Sequence, residues 1–524
     1  MHWRFASTFF AAGAVAAAIC LFALAYVGIP GLDRLKVNSI QRIAKNSAAP
    51  IAGQLMNRAV DLAFAIISLR LLGATENGEY AVAVTAWLYI STIAGFGLGL
   101  LITREAAREP ERAGRLLGSS TLLRILILLL LVPIASLYAI GGHLYLNLAR
   151  DSAIAVGLLT ISVLPSVYAD GVSAIFNSRE QMELPAALNV VTNLTRAGFG
   201  LAALAAGYGV VGLAGVSILS TTISMFAYHV SLRHLHLRPE WGLSRRELRW
   251  LIDLSWPLLL NSLLLNVFFR ADYFFIQPIK GNHATGVYDA AYKFINMLLI
   301  IPSYFTMAIF PLMSRYATTS QEKLLYGYRL AIKFMLVLAW PIVIGTMAVA
   351  PILIEILGGH AYLPDSAHCL RILIWFLPMS YVNGVTQYVL VAVDRQRSIT
   401  LAFIVGVIFN LGANAVAVPL YGVTGASVIT VLTEVSLFIP LQLTAVRAIG
   451  PVHWGSTAAR AAIAGLLMGA VVFASWRLGP IPAAALGVIA YGLALVLTRA
   501  IGRREYHLAL ALVGRSAEAL PETP

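Results

Sequence analysis

The chain has 524 residues, 59% of them hydrophobic and only 12% charged, with 37 Lys and Arg against 24 Asp and Glu and a formal net charge of +13. A soluble domain carries about a quarter charged residues, which excludes a string of soluble domains, and disordered chains are poor in the apolar residues that dominate here. What remains is an all-α polytopic membrane protein; its basic surplus is spread over short loops, so no nucleic-acid-binding domain is expected.

Apolar runs of about 20 residues predict a leader helix at 5–27 and about fourteen transmembrane spans. These are 46–72, 79–102, 119–141, 152–177, 184–206, 210–232, 250–277, 284–314, 327–357, 366–393, 398–420, 423–446, 456–478 and 480–500. Alternate loops concentrate Lys and Arg: Arg104, Arg108, Arg112 and Arg115; then Arg233, Arg238, Arg245, Arg246 and Arg249; then Arg395, Arg397 and Arg447. The opposite loops offer little beyond Arg150, Lys280 and Arg477. By the positive-inside rule, spans 1 to 14 start and finish in the cytoplasm. The leader resembles a signal sequence, yet Arg34, Lys36, Arg42 and Lys45 behind it belong inside. It is read as an uncleaved extra span, against the alternatives of a cleaved signal or a misassigned start.

The chain repeats itself. Pro165, Tyr168, Asp170 and Gly171 in span 4 match Pro378, Tyr381, Asn383 and Gly384 in span 10 at an offset of 213. Tyr208, Gly209, Val210 and Gly212 match Tyr421, Gly422, Val423 and Gly425 at the same offset. Gly78 and Tyr80 match Gly286 and Tyr288 at an offset of 208. A duplicated six-helix unit enters the membrane the same way twice, giving two lobes about an axis along the membrane normal. The expected division is 1–40 leader and basic linker, 41–235 N-lobe, 236–450 C-lobe, 451–500 spans 13 and 14, and 501–524 cytoplasmic tail.

Charges inside spans are costly, roughly 2.5–3.5 kcal/mol on insertion scales, and need a reason. Gln54, Arg58 and Asp61 share one face of span 1, where Arg58 and Asp61 either neutralise each other or line a cavity. Asn189, Asn193 and Arg196 form a stripe on span 5, and Arg196 has no acid on its own helix. It either faces a cavity or pairs with an acid elsewhere. On span 7, Asn266 and Arg270 lie along one face, with Asp272 pointing away from Arg270. Asp289, Lys293 and Asn296 line span 8. Asp170 suits a salt bridge or a cation. Arg124 and Lys333 lie near cytoplasmic span ends, where snorkelling accounts for them.

Arg58, Arg196, Arg270 and Lys293 together would make a cationic cavity between the lobes, suited to phosphate oxygens. Gln54, Asp61, Asn189, Asn193, Asn266, Asp272 and Asn296 would be its polar wall. No catalytic residue, metal site or cofactor is expected: there is no phosphate-binding Gly-Lys loop and no room for a soluble catalytic domain. Cys20 and Cys369 read as small buried hydrophobes. The run Gly95, Gly97, Gly99 reads as close helix packing.

Three stretches carry a family resemblance: Leu71 to Tyr80, with Gly73 and Gly78; Asp272 and Tyr273 with Gly286, Tyr288 and Tyr292; and Tyr421, Gly422 and Gly425. Over about residues 40–450 they resemble the multidrug/oligosaccharidyl-lipid/polysaccharide (MOP) exporter superfamily, in its polysaccharide-transporter branch. The resemblance implies alternating access and transfer of a polyprenyl-diphosphate-linked oligosaccharide to the outer leaflet of the cytoplasmic (inner) membrane. Polysaccharide biosynthesis enzymes would be partners, and Na+ or H+ a coupling ion. A lipid II flippase is one alternative, although span 1 lacks that branch's Ser-Arg…Gly-Phe-x-Arg-Asp pattern. A cation-coupled drug antiporter using Asp61 and Asp272 is another. The leader helix has no place in the family plan.

Overall fold

Unpaired backbone groups are not tolerated in hydrocarbon, and the described part of the chain is built of helices with short 3-10 turns. The structure, a computed structural model, describes residues 39–452 and 455–498. The leader helix, Cys20, Arg34, Lys36 and the tail from 501 lie outside the described residues. The helices are α1 (Ser39–Gly95), α2 (Leu98–Arg108), α3 (Ala113–Tyr145), α4 (Arg150–Ser178), α5 (Glu183–Ala205), α6 (Gly209–Ser231), α7 (Arg245–Arg270), α8 (Asp272–Leu298), α9 (Ile300–Thr319), α10 (Gln321–Gly358), α11 (Asp365–Leu373), α12 (Phe376–Ala392), α13 (Gln396–Ile449), α14 (Gly455–Ser475) and α15 (Pro480–Leu497).

Among the described residues, eight helical stretches are long and apolar enough to cross a membrane, or nine when α11 and α12, bent by 41°, count as one. Three of the eight, Gly53–Arg108, Arg245–Thr319 and Gln396–Ile449, run for 56, 75 and 54 residues. At 1.5 Å per residue each is roughly 80–110 Å long, against a hydrocarbon core of about 30 Å. Each is therefore long enough to cross more than once. Within them the helix breaks at glycines in positive φ, Gly73 (70°), Gly281 (83°) and Gly422 (59°), between the spans expected there. Glycine is needed because any Cβ is strained at such φ. The protein is thus an all-α, multi-pass membrane protein, but its fourteen expected spans do not appear as fourteen separate helices.

The chain forms two compact units. The first comprises the described residues up to 291 with 354–366 and 407–429. Here α4 packs against α1, α3 and α6, and α1 against α5. Its core includes Leu98, Leu101, Leu117, Val172, Ile175 and Phe176. The second comprises 292–353, 367–406 and the chain from 430. In it α9 packs on α12 and α14 on α15, and Tyr491 donates to the Val337 carbonyl at 2.6 Å. Cys369 is buried, as expected of a small hydrophobe.

Of the glycine run 95–99, Gly97 packs closely, a Cβ on it standing 2.6 Å from the Leu258 Cβ, whereas Gly95 has nothing within 4 Å. The run also breaks the helix, with Phe96 and Gly97 both at positive φ (50° and 69°). Arg124 departs from expectation. It does not snorkel but is buried at 1% exposure, its Nη1 donating to the Val167 carbonyl. The physical reason is Gly171, whose missing side chain uncovers that carbonyl; a Cβ there would lie 3.3 Å from Nη1.

Within the first unit, α1 and α8 meet backbone to backbone. A Cβ on Gly78 would collide with the Asn282 carbonyl oxygen, and one on Gly286 with that of Ala74. The same two Cβ atoms would stand 2.8 Å from the Gly286 amide and 2.9 Å from the Gly78 amide. Ala74 and Asn282, like Gly78 and Gly286, are 208 residues apart. The contact is reciprocal, as a two-fold axis between duplicated segments requires.

Candidate functional site

Helix periodicity puts residues three and four apart on one face, and the first unit uses this to assemble two arginine-centred groups. In the first, Arg196 on α5 reaches α1. Its Nη2 donates to Asp61 Oδ1 at 2.9 Å and to Asn193 Oδ1 at 2.9 Å. The guanidinium also lies over the Phe64 ring, 5.9 Å from its centroid. Asn193 in turn donates to the Asn57 carbonyl at 3.1 Å, fixing α5 against α1. Arg196 therefore takes the pairing alternative, with an acid on another helix. Yet neither partner is buried, the side chains being 41% and 42% exposed. Asp61 pairs across helices and not with Arg58, which is exposed, as is Gln54.

The second group centres on α7 and α8. Arg270 Nη1 donates to the Tyr273 hydroxyl at 3.0 Å, and the guanidinium sits 5.2 Å from that ring's centroid. The Tyr273 hydroxyl donates to Asp289 Oδ1 at 2.9 Å, and Arg270 itself stands 3.9 Å from the same oxygen. The other oxygen, Oδ2, accepts from Asn77 Nδ2 at 3.1 Å. Asp289 is buried while Arg270 keeps 27% of its side-chain surface. Tyr80 lies within electrostatic reach of both Arg196 and Asp289.

Asp272 lies elsewhere in the unit, as the two-residue step from Arg270 requires. Its carboxylate is buried at 1% exposure and accepts from the Tyr288 hydroxyl at 2.7 Å, from Asn414 Nδ2 at 2.7 Å and from Asn410 Nδ2 at 3.4 Å. Tyr273 and Tyr288 stack edge to face, 5.7 Å between centroids, which joins the Asp289 and Asp272 groups. The side-chain oxygen Oδ1 of Asn414 is buried with no hydrogen bond.

Other expected wall residues are hydrogen-bonded to neighbouring groups or stand exposed. Asn266 donates to Thr92 Oγ1 at 2.7 Å, and its carbonyl accepts from Tyr89 at 3.2 Å. Exposed Asn189 accepts from Tyr228 at 3.3 Å. Asp170 is exposed, and no ion pair within 4 Å forms on it among the described residues; Arg124 acts on it only electrostatically. Lys293 and Asn296 belong to the second unit and are half-buried.

The site is thus less cationic than the sequence suggested. In the first unit, two of the three arginines carry a carboxylate partner, and only Arg58 adds an unbalanced charge to these groups. What the arrangement can do is exchange anions. A half-exposed guanidinium can release a carboxylate and take a phosphate oxygen in the same fork geometry. Sequence reasoning placed Asp289 in a stripe but missed its partner Asn77, and it missed Asn410 and Asn414. The spacing of the two asparagines, four apart in an apolar helix, was the available signal. In the second unit it missed Glu434, buried at 2% exposure. Asn383 Nδ2 donates to Glu434 Oε2 at 2.6 Å and to its carbonyl at 3.0 Å.

Comparison with known proteins follows the same lines. The family profile described as polysaccharide biosynthesis protein matches residues 43–317, and the MatE profile matches 257–416. No curated protein sequence matches the chain. Among solved structures, the lipid II flippase MurJ in its inward closed conformation aligns with TM-score 0.70 at 15% identity, over 86% of this chain and 98% of that one. A multidrug resistance MATE family transporter of the MOP superfamily aligns in an inward-facing conformation with TM-score 0.59 at 18% identity, over 76% and 98%. An outward-facing MATE structure aligns with TM-score 0.55 at 19% identity, over 78% and 95%.

Proposed function

Because the chain belongs to the polysaccharide biosynthesis protein family of the MOP superfamily, we propose that it is a flippase for a polyprenyl-diphosphate-linked oligosaccharide. It carries the glycan from the cytoplasmic to the outer leaflet of the cytoplasmic membrane by alternating access, with its C-terminus in the cytoplasm. The supporting observation is that Arg196 and Arg270 both lie in the first unit, each beside a carboxylate. Arg196 and Arg270 are oriented by hydrogen bonds and ring contacts but remain partly exposed, the condition for a guanidinium to meet an incoming anion. A diphosphate offers several oxygens and more than one negative charge, so it competes with Asp61 and Asp289 for the two forks. Arg58, exposed on the same face as Asp61, adds long-range attraction. The glycan would use the amides of Asn189, Asn193 and Asn266, and the lipid tail would stay in the bilayer.

A coupling ion, Na+ or H+, fits the Asp272 group, where a buried carboxylate lies beside the orphaned Asn414 oxygen; hard cations take such oxygen donors. A drug antiporter would rely on Asp61 and Asp272 with no partnering arginines, and the Arg196–Asp61 pair speaks against it. The test is reconstitution into vesicles with a labelled polyprenyl-diphosphate sugar and an assay of the leaflet that holds the label. Protein-dependent appearance of label in the far leaflet is expected. Movement of lipid II or of a cationic dye, with none of the oligosaccharide lipid, would replace this reading with the corresponding alternative.

A further inference from the structure

The reciprocal contact between α1 and α8 is symmetric in its backbone but not in its polar groups. By the 208-residue offset, Gly78 matches Gly286 and Ala74 matches Asn282. The same offset matches Asn77 to Thr285 and Asp289 to Ala81. One side of the axis therefore carries Asn77 donating to Asp289 at 3.1 Å and to the Gly286 carbonyl at 3.3 Å. Its mirror image cannot form, because Ala81 has no acceptor side chain and Thr285 Oγ1 donates to Gly281 of its own helix at 3.0 Å. Packing alone would be served equally by both halves. A hydrogen bond found in one half only, on a carboxylate shared with Arg270, has a further role.

We propose that Asn77 and Asp289 form a latch that holds α1 and α8 together at the end of the membrane assigned to the outer side, and that Arg270 sets its strength. A continuous chain runs Arg270 to Tyr273 to Asp289 to Asn77, with links of 3.0, 2.9 and 3.1 Å. Asp289 is buried, so its charge depends on the nearby guanidinium. When a diphosphate draws Arg270 away, the carboxylate loses its counter-charge where it stands. The state in which the Gly78–Gly286 contact parts and water reaches Asp289 is then favoured. Substrate binding and outer-side opening become two readings of one carboxylate. The coupling to diphosphate rests on the proposed function; the latch itself does not.

Glu79 and Asn282 report on the contact, since Asn282 Nδ2 donates to Glu79 Oε1 at 3.3 Å across it. The experiment uses the full chain in membrane vesicles with Cys20→Ser and Cys369→Ala, carrying Glu79→Cys and Asn282→Cys. A short bifunctional thiol reagent then measures the rate of cross-linking. Hydrogen bonds to charged groups are among the stronger ones, so Asn77→Ala and Asp289→Asn are each expected to slow cross-linking about tenfold. The exchange Asn77→Asp with Asp289→Asn restores a donor–acceptor pair and should recover the rate. Thr285→Ala, at the mirror position, should leave it unchanged. Wild-type rates in both single variants, or loss with no recovery in the exchange, overturns the latch. Undecaprenyl diphosphate in the vesicles should slow cross-linking in the parent and have no effect with Arg270→Gln. A diphosphate that changes nothing in the parent overturns the coupling while the variant series still decides the latch. Failure of glycan flipping in the leaflet assay would strike the proposed substrate and leave the latch result standing.

Discussion

Arg196 and Arg270 look alike in the sequence, but their partners make them different residues. Asp61 keeps 42% of its side-chain surface, so losing Arg196 leaves a carboxylate that surrounding solvent can still serve, and half-exposed pairs contribute little to stability. Arg196→Gln should therefore be produced at near wild-type yield while flipping falls about ten- to hundredfold, the worth of a charge-assisted hydrogen bond. Arg196→Lys keeps the charge without the fork and should retain part of the activity. Arg270→Gln strands the buried Asp289 and should lower the yield as well, with recovery when Asp289→Asn is added. Yield from membranes and the leaflet assay, measured on the same preparations, separate the two effects. Equal yields for the two glutamine variants would remove the distinction. Normal flipping by a well-produced Arg196→Gln, Arg270→Gln double variant would remove both from the mechanism.

At the scale of helices, small residues decide where backbones can touch. Gly286→Ala drives a methyl group into the Ala74 carbonyl and cannot be relieved by a rotamer change, since both partners are backbone. A loss of about 1–3 kcal/mol or more is expected from such overpacking. Gly157→Ala on α4, with nothing within 4 Å, should instead stabilise its helix by up to about 1 kcal/mol. Thermal unfolding in detergent compares them, and a Gly286→Ala variant as stable as Gly157→Ala would deny the close approach. The helices themselves were legible because 20-residue apolar runs are a strong signal, and Gly73, Gly281 and Gly422 stood at the expected joints. Gly78 and Gly286 were legible as a repeat but not as a contact, because an offset says nothing about which copies touch. Asp61 and Arg196 each stood out alone; their pairing was left open because helix periodicity relates residues on one helix and not on two. Asn77 and Glu434 gave no periodic signal: a single polar residue in a turn or an apolar run resembles many others.

For the whole molecule, the loop charges predict one way round. Arg104 to Arg115 and Arg233 to Arg249 lie on one side, and the loop around Leu146 on the other. Single cysteines at Pro110 and Leu146, in a background lacking Cys20 and Cys369, should react with a membrane-impermeant thiol reagent from opposite sides. In intact cells only the one at 146 should label. Labelling of both from outside would reverse the orientation and move the Asn77–Asp289 latch to the cytoplasmic face.

The joints at Gly73, Gly281 and Gly422 also constrain how the protein is made. A turn of one non-helical residue leaves no loop that could be threaded or held on the far side while the next span emerges from the ribosome. The two arms of each joint are expected to enter the bilayer together, as a helical hairpin. A bulky residue at one of these glycines would then act first on membrane insertion, during synthesis, and its cost would show as degraded nascent chains before it showed as a weakened folded state.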